Sequence, residues 1–218
     1  MIADCYGNPW PTTPVAWPSG PFASNGFAAV SAAYELLVVG GGTDDGTVTG
    51  VHTEQAKMLN LKSGVWEELD LNGSDLAGHI IGSNYAPADE AIWMVSSDEE
   101  GLLKVVRWEF LVPGAWPEVI AEFPQEWGEC ESAEILGLSD GATVVALSRG
   151  AESRAVMFAR SGRDLVGVAD TTCSTLRSPV PVDGGSVVLF GFDSLGTPCS
   201  VQLGGADYGM VSPEPQLQ

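Results

Sequence analysis

Short apolar runs and turns rich in glycine and acid alternate along this chain. Runs of aliphatic, β-branched and aromatic residues span Leu36 to Val39, Ala91 to Val95, Thr143 to Leu147 and Ser186 to Phe190, each four or five residues long. That length suits sheet strands and is too short for helices. A turn cluster follows each run, at residues 40–46, 96–101, 148–153 and 191–196. Beyond each cluster lie a second apolar run, a glycine-containing turn and a large apolar residue that opens another short run. The pattern predicts an all-β protein.

The residue after the glycine-containing turn recurs with a period. Trp17, Trp66, Trp116, Leu165 and Tyr208 are separated by 49, 50, 49 and 43 positions. A unit of about 50 residues that holds several short strands and no helix is what a β-propeller blade requires, because one small sheet buries both faces only when neighbours stack on it. The predicted fold is a small β-propeller of four to five blades, either closed or incomplete. Blades are expected at residues 24–71, 77–122, 129–168 and 173–211, followed by a tail at 212–218. Residues 1–23 form a proline-rich segment, with five prolines between Asn8 and Phe22. Proline cannot donate a ladder hydrogen bond, so this segment suits an outer edge strand that covers the last blade. Alternatively, the missing strands mark a chain that completes a larger propeller by assembly with itself or with a partner.

In the first unit Leu36-Leu37-Val38-Val39-Gly40-Gly41 reads as a strand that ends in a glycine pair, and Leu59-Asn60-Leu61-Lys62-Ser63-Gly64-Val65-Trp66 as a turn leading to tryptophan. These segments resemble the kelch repeat, with Leu59 in its tyrosine position. The second unit keeps Trp108-Glu109-Phe110 and Trp116 but has Ser96-Ser97 at the pair. The last two units have Ser148-Arg149 and Gly191-Phe192 there. The resemblance implies a kelch-like propeller.

Charge narrows the partners. Nine Lys and Arg against 29 Asp and Glu give a formal net charge of −20, which repels nucleic acid and anionic membranes alike. With 44% hydrophobic residues and 17% charged ones, the chain can build a core. No apolar stretch is long enough for a membrane helix, and the expectation is a soluble chain, with the cytoplasm favoured. Cys5, Cys130, Cys173 and Cys199 lack metal-ligand spacing and read as thiols; a disulfide between Cys5 and Cys199 is the alternative. No cofactor is expected.

In an antiparallel blade the second-to-third loops and the connections between blades leave one end together. The loops carry Asp44, Asp45, Asp98, Glu99, Glu100, Glu152 and Asp193, and the connections carry Asp75, Glu126, Glu129, Glu131 and Asp170. That end should be strongly acidic, whereas the third-to-fourth loops opposite, around Lys62, Pro113-Gly114 and Arg163, should be nearly neutral. A carboxylate ring steers cationic ligands or basic proteins, although acidic loops also serve solubility alone. Trp127 lies among these acids, where it either stacks a ligand or folds back on the core. Asp44 and Asp45 beside Gly46 form a weak calcium candidate that lacks the EF-hand spacing. Gly40-Gly41-Gly42 lacks the Lys-Ser or Lys-Thr of a phosphate cradle and reads as a tight strand exit. His52 and His79 are the two side chains suited to acid–base work near neutral pH.

The leading reading is a noncatalytic binding module that meets a protein or small cationic ligand through Asp44, Asp45, Asp98, Glu99, Glu100, Trp127, Glu129, Asp170 and Asp193. The alternative is a small propeller lyase, hydrolase or cyclase that uses His52 or His79. A homo-oligomer is compatible with either.

Overall fold

The computed structural model describes residues 26–43, 55–71, 76, 79–98, 100–123, 130–160, 164–174, 176–182 and 186–204. These contain no helix and form four antiparallel sheets of consecutive strands. The first sheet holds β1 (Phe27–Ser31), β2 (Leu36–Gly40), β3 (Gln55–Asn60) and β4 (Val65–Asp70). The second holds β5 (His79–Ala86), β6 (Ala91–Ser97), β7 (Leu103–Trp108) and β8 (Glu118–Glu122). The third holds β9 (Ser132–Gly137), β10 (Thr143–Arg149), β11 (Glu152–Phe158) and β12 (Leu165–Thr171). The fourth holds β13 (Arg177–Val182), β14 (Ser186–Phe192) and β15 (Pro198–Leu203). The four apolar runs read from the sequence are the second strands, β2, β6, β10 and β14.

The sheets stack in series. β1 packs on β5, β5 on β9 and β9 on β13, whereas no comparable packing joins β1 to β13 among the described residues. Three apolar cores fill the three junctions. Phe27, Ala29 and Val38 meet Ile92, Met94 and Trp108 between the first and second sheets. Trp93, Val95 and Val105 meet Val145, Leu147 and Phe158 between the second and third. Val144, Ala146 and Met157 meet Val187, Leu189 and Val201 between the third and fourth. The middle sheets are therefore covered on both faces, and all of β6 is buried. β14 keeps an alternating pattern with Phe190 and Phe192 exposed, as an end sheet should.

Small residues let the first strands approach. A Cβ on Gly82 of β5 would lie 2.4 Å from the Ala133 carbonyl oxygen of β9, and one on Gly137 would lie 2.6 Å from the Ala86 Cβ. Side chains bridge the same strands: Ser83 Oγ accepts from Ala28 N–H at 3.3 Å and donates to the Ala28 carbonyl at 3.2 Å. Asn84 Nδ2 donates to the Ile135 carbonyl at 2.8 Å. The glycine triplet after β2 is a strand exit, as read from the sequence. Gly41 and Gly42 have φ of 64° and 89°, a region that disfavours side chains, and a Cβ on Gly40 would lie 2.6 Å from the Ala56 Cβ.

The period of the large residues suggests that they anchor each unit in the core, and this expectation is corrected: Trp116 is 48% and Leu165 54% exposed, and Trp66 on β4 is half-buried. They lie in or just before the outer strands β4, β8 and β12 of the first three sheets. Among the described residues the buried indoles are Trp93 and Trp108, 0% and 4% exposed, on the second and third strands of the second sheet. Trp17 and Tyr208 lie outside the described residues.

The thiols are not all free. Cys173 and Cys199 form a disulfide with Cα atoms 6.2 Å apart, so Cys199 is not Cys5's partner. Its sequence separation of 26 makes it a loop closure that removes about 3.5 kcal/mol of unfolded-chain entropy, and such bonds persist in oxidising compartments. Cys130 is a buried thiol whose one S–H is shared between the carbonyls of Ser132 and Ser148, at 3.1 and 3.3 Å; burial pushes its pKa up. Cys5 lies outside the described residues.

Candidate functional site

The antiparallel order sends the β2–β3, β6–β7, β10–β11 and β14–β15 loops, and the connections between sheets, to one end. This is the end expected to carry the acids. Of the candidates, Asp44, Asp45, Glu99, Trp127 and Glu129, together with Asp75, Glu126 and His52, lie outside the described residues. The structure therefore places Asp98, Glu100, Glu131, Glu152, Asp170 and Asp193.

Two of these carboxylates build their own turns. Asp98 Oδ1 accepts the backbone N–H of Glu100 at 3.1 Å and of Leu102 at 2.9 Å. Asp193 Oδ1 accepts the N–H of Leu195 at 2.9 Å and of Thr197 at 2.8 Å. In each turn the third residue after the aspartate is a glycine whose φ is positive, 77° at Gly101 and 79° at Gly196. Asp-x-x-Gly is thus a repeated device in which one carboxylate satisfies two amides where the chain reverses. The shared spacing of Asp98 to Gly101 and Asp193 to Gly196 was the sequence signal for it.

Lys104 adds an ion pair to Asp98 at 3.1 Å. Although burial would raise the Asp98 pKa, the Leu102 amide and Lys104 offset that and hold its carboxyl below the ordinary range. A depressed pKa contributes stability above the usual carboxylate range and loses it as pH falls through the folded value. Asp98→Ala should cost about 1–3 kcal/mol at neutral pH, as read by urea denaturation, and the gap to wild type should shrink in acid. A gap that is constant between neutral pH and pH about 3 would contradict the assignment.

Asp170 is committed as well. It faces Arg154 across β11 and β12 in a two-pronged pair, Nε to Oδ1 at 2.6 Å and Nη2 to Oδ2 at 2.9 Å. The guanidinium holds its carboxyl below the ordinary range. Glu152 pairs with Arg149 at 2.8 Å while remaining 59% exposed. Glu100 and Glu131 are exposed, and the Glu131 amide bonds the Ser148 carbonyl at 2.9 Å, which ties the β8–β9 connection to the end of β10.

The opposite end is not neutral, because the first-to-second turns share it. Glu35, Glu90 and Asp140 are exposed there, and the Tyr34 hydroxyl donates to the Glu90 carboxylate, linking the first and second sheets. Counting the third-to-fourth loops alone missed these acids. His79 is the half-buried first residue of β5, opposite Ser97. Among the described residues no three His, Cys, Asp or Glu side chains cluster as metal ligands would. The described residues hold no helix long and apolar enough to cross a membrane.

No family model and no curated protein matches the chain. Solved structures do. A hypothetical selenium-binding protein from Sulfolobus tokodaii superposes with a TM-score of 0.53 at 12% identity, covering 89% of this chain and 54% of that one. A lectin from Aleuria aurantia gives 0.51 at 13% identity, covering 83% and 59%. TolB from Acinetobacter baumannii gives 0.50 at 14%, covering 85% and 42%. The chain therefore spans less than two thirds of each, and the likeness is one of fold: antiparallel sheets arrayed in series, as in propeller-type proteins.

Proposed function

We propose that this chain is a noncatalytic, propeller-type binding module that takes a lysine- or arginine-rich protein segment on the end formed by the β6–β7 and β10–β11 turns and the β8–β9 connection. The observation that carries the reading is the shared end of Glu100, Glu131 and Glu152, three exposed carboxylates from sequence-distant loops. On a chain of net charge −20, such a grouping draws in cations at long range and contributes more to encounter than to tight contact. Asp98, Asp170 and Asp193 act behind it as positioning residues, since each already holds a turn or a strand pair.

Titration of a lysine-rich peptide tests the reading. Its affinity should fall at least tenfold as salt rises from about 10 mM to 1 M, a range over which the screening length shrinks from roughly 30 to 3 Å. Glu100→Gln combined with Glu131→Gln should weaken binding at low salt, while His79→Ala should leave it unchanged. Binding that ignores ionic strength, or that depends on His79, would contradict the proposal.

A further inference from the structure

The fourth sheet is unfinished on its outer side. In β14, Val187 and Leu189 pack on the third sheet, while Val188, Phe190 and Phe192 alternate to the other face. Phe190 and Phe192 are 51% and 56% exposed. Register sets Val180 beside Val188 and Val182 beside Ser186, which extends the apolar face onto β13. β15 adds Pro198, Ser200 and Gln202, all exposed. The other sheets carry a fourth strand outside their third; among the described residues β15 is an open edge. The face holds no carboxylate among these residues. Its charged group is Arg177, at the rim and 3.6 Å from Glu134 of the third sheet.

Each of the three junctions in this fold is one apolar sheet face laid on another, so a further sheet face is the partner whose shape and chemistry fit this one. Within the chain, the second and third sheets are covered on both sides, and the outer face of the first is buried at Val39 and Leu59, 6% and 4% exposed. Among the described residues the sheet face that carries several exposed apolar side chains is that of the fourth sheet, whereas the outer face of the first exposes Val30. The geometry points to self-association: the Val180, Val182, Val188, Phe190 and Phe192 face seats on the same face of a second copy about a two-fold axis.

Charge favours this choice. Two chains of −20 each repel, and an acid-free face is where they meet at least cost. Salt should therefore strengthen the contact, the opposite of its effect on a cationic partner at the acidic end. Three strands about 4.8 Å apart and six residues long give a footprint of roughly 300 Å² per copy. The two footprints come to roughly 600 Å² in total before side-chain relief is counted, below the size of a stable specific interface, which makes this a weak, transient dimer to be sought at micromolar and higher concentrations.

Analytical ultracentrifugation from about 1 to 500 µM spans that range. The mass should rise from the 22.8 kDa of one chain toward twice that value, with a midpoint at lower concentration in high salt. Phe190→Asp with Phe192→Asp should hold the mass at one chain throughout, with the circular dichroism of wild type because both side chains are exposed. Ser200→Arg, a milder change on the same face, should raise the dissociation constant at least tenfold. Phe190→Cys should cross-link copies on oxidation, whereas Val30→Cys, on the exposed part of the first sheet, should not. A wild-type mass of one chain up to the highest concentration would overturn the inference. So would a dimer that the Phe190 and Phe192 substitutions leave intact, or one that dissociates as salt is added.

Discussion

Asp89→Ala should destabilise the protein by about 3–5 kcal/mol, because it strands a buried guanidinium. The Asp89 side chain is 3% exposed and that of Arg107 is 10% exposed. Asp89 Oδ2 accepts from Arg107 Nε at 2.7 Å and from Trp93 Nε1 at 2.9 Å, and Oδ1 accepts from Arg107 Nη2 at 2.9 Å. Arg107 Nη2 also reaches Glu109 at 2.8 Å. Burial alone would pull the Arg107 pKa down, but Asp89 and Glu109 more than offset it. Removing the carboxylate takes both of its contacts from the guanidinium, leaving Glu109 as the remaining carboxylate partner, and leaves a wholly buried indole N–H without its acceptor. The double change Asp89→Leu with Arg107→Met should recover part of the loss, since an apolar pair of similar volume has no charge to desolvate, while the buried Trp93 N–H stays without its acceptor. Urea denaturation reads both. A loss below about 1 kcal/mol for Asp89→Ala would place the pair in the class of surface bridges and refute the assignment.

The second large effect is steric. Gly82→Ala should cost about 2–3 kcal/mol, toward the upper end of the range for overpacking. The added methyl would lie 2.4 Å from the Ala133 carbonyl oxygen and 2.8 Å from the Ala133 Cβ. The first of these is backbone, so relief requires β5 and β9 to move apart. That motion strains the Asn84 bond to Ile135 and the junction between the second and third sheets. Gly167→Ala is the control, since its nearest neighbour would be the Met157 Cβ at 3.6 Å, ordinary contact. It should stay within about 0.5 kcal/mol of wild type. Equal effects at the two positions would mean that the strands do not approach as closely as Gly82 and Gly137 indicate.

Much of the secondary structure was legible because strands leave a local mark. The runs at Leu36, Ala91, Thr143 and Ser186 are the second strands, and the glycine triplet after β2 is a strand exit. The periodic Trp66, Trp116 and Leu165 told a true period and a false burial. A large apolar residue at a repeated offset fixes where a unit recurs, but which strand of a sheet faces a neighbour depends on stacking. Trp93 and Trp108 carry no periodic mark, and their burial comes from sheets on either side. The acids were similarly ambiguous. Composition puts Asp98 and Asp193 in turns, yet only the closed turn reveals that their oxygens are occupied by amides.

From residues alone follow the all-β character, the series of short antiparallel strands and the strong negative charge, because strand length, turn chemistry and charge are properties of adjacent positions. The three-dimensional arrangement alone decided the rest. It bonded Cys173 to Cys199, buried Asp89 against Arg107, put acids on both ends of the sheets and left the outer face of β14 open. Each of these depends on which distant segments come within a few ångströms, and that is set by how the sheets stack on one another.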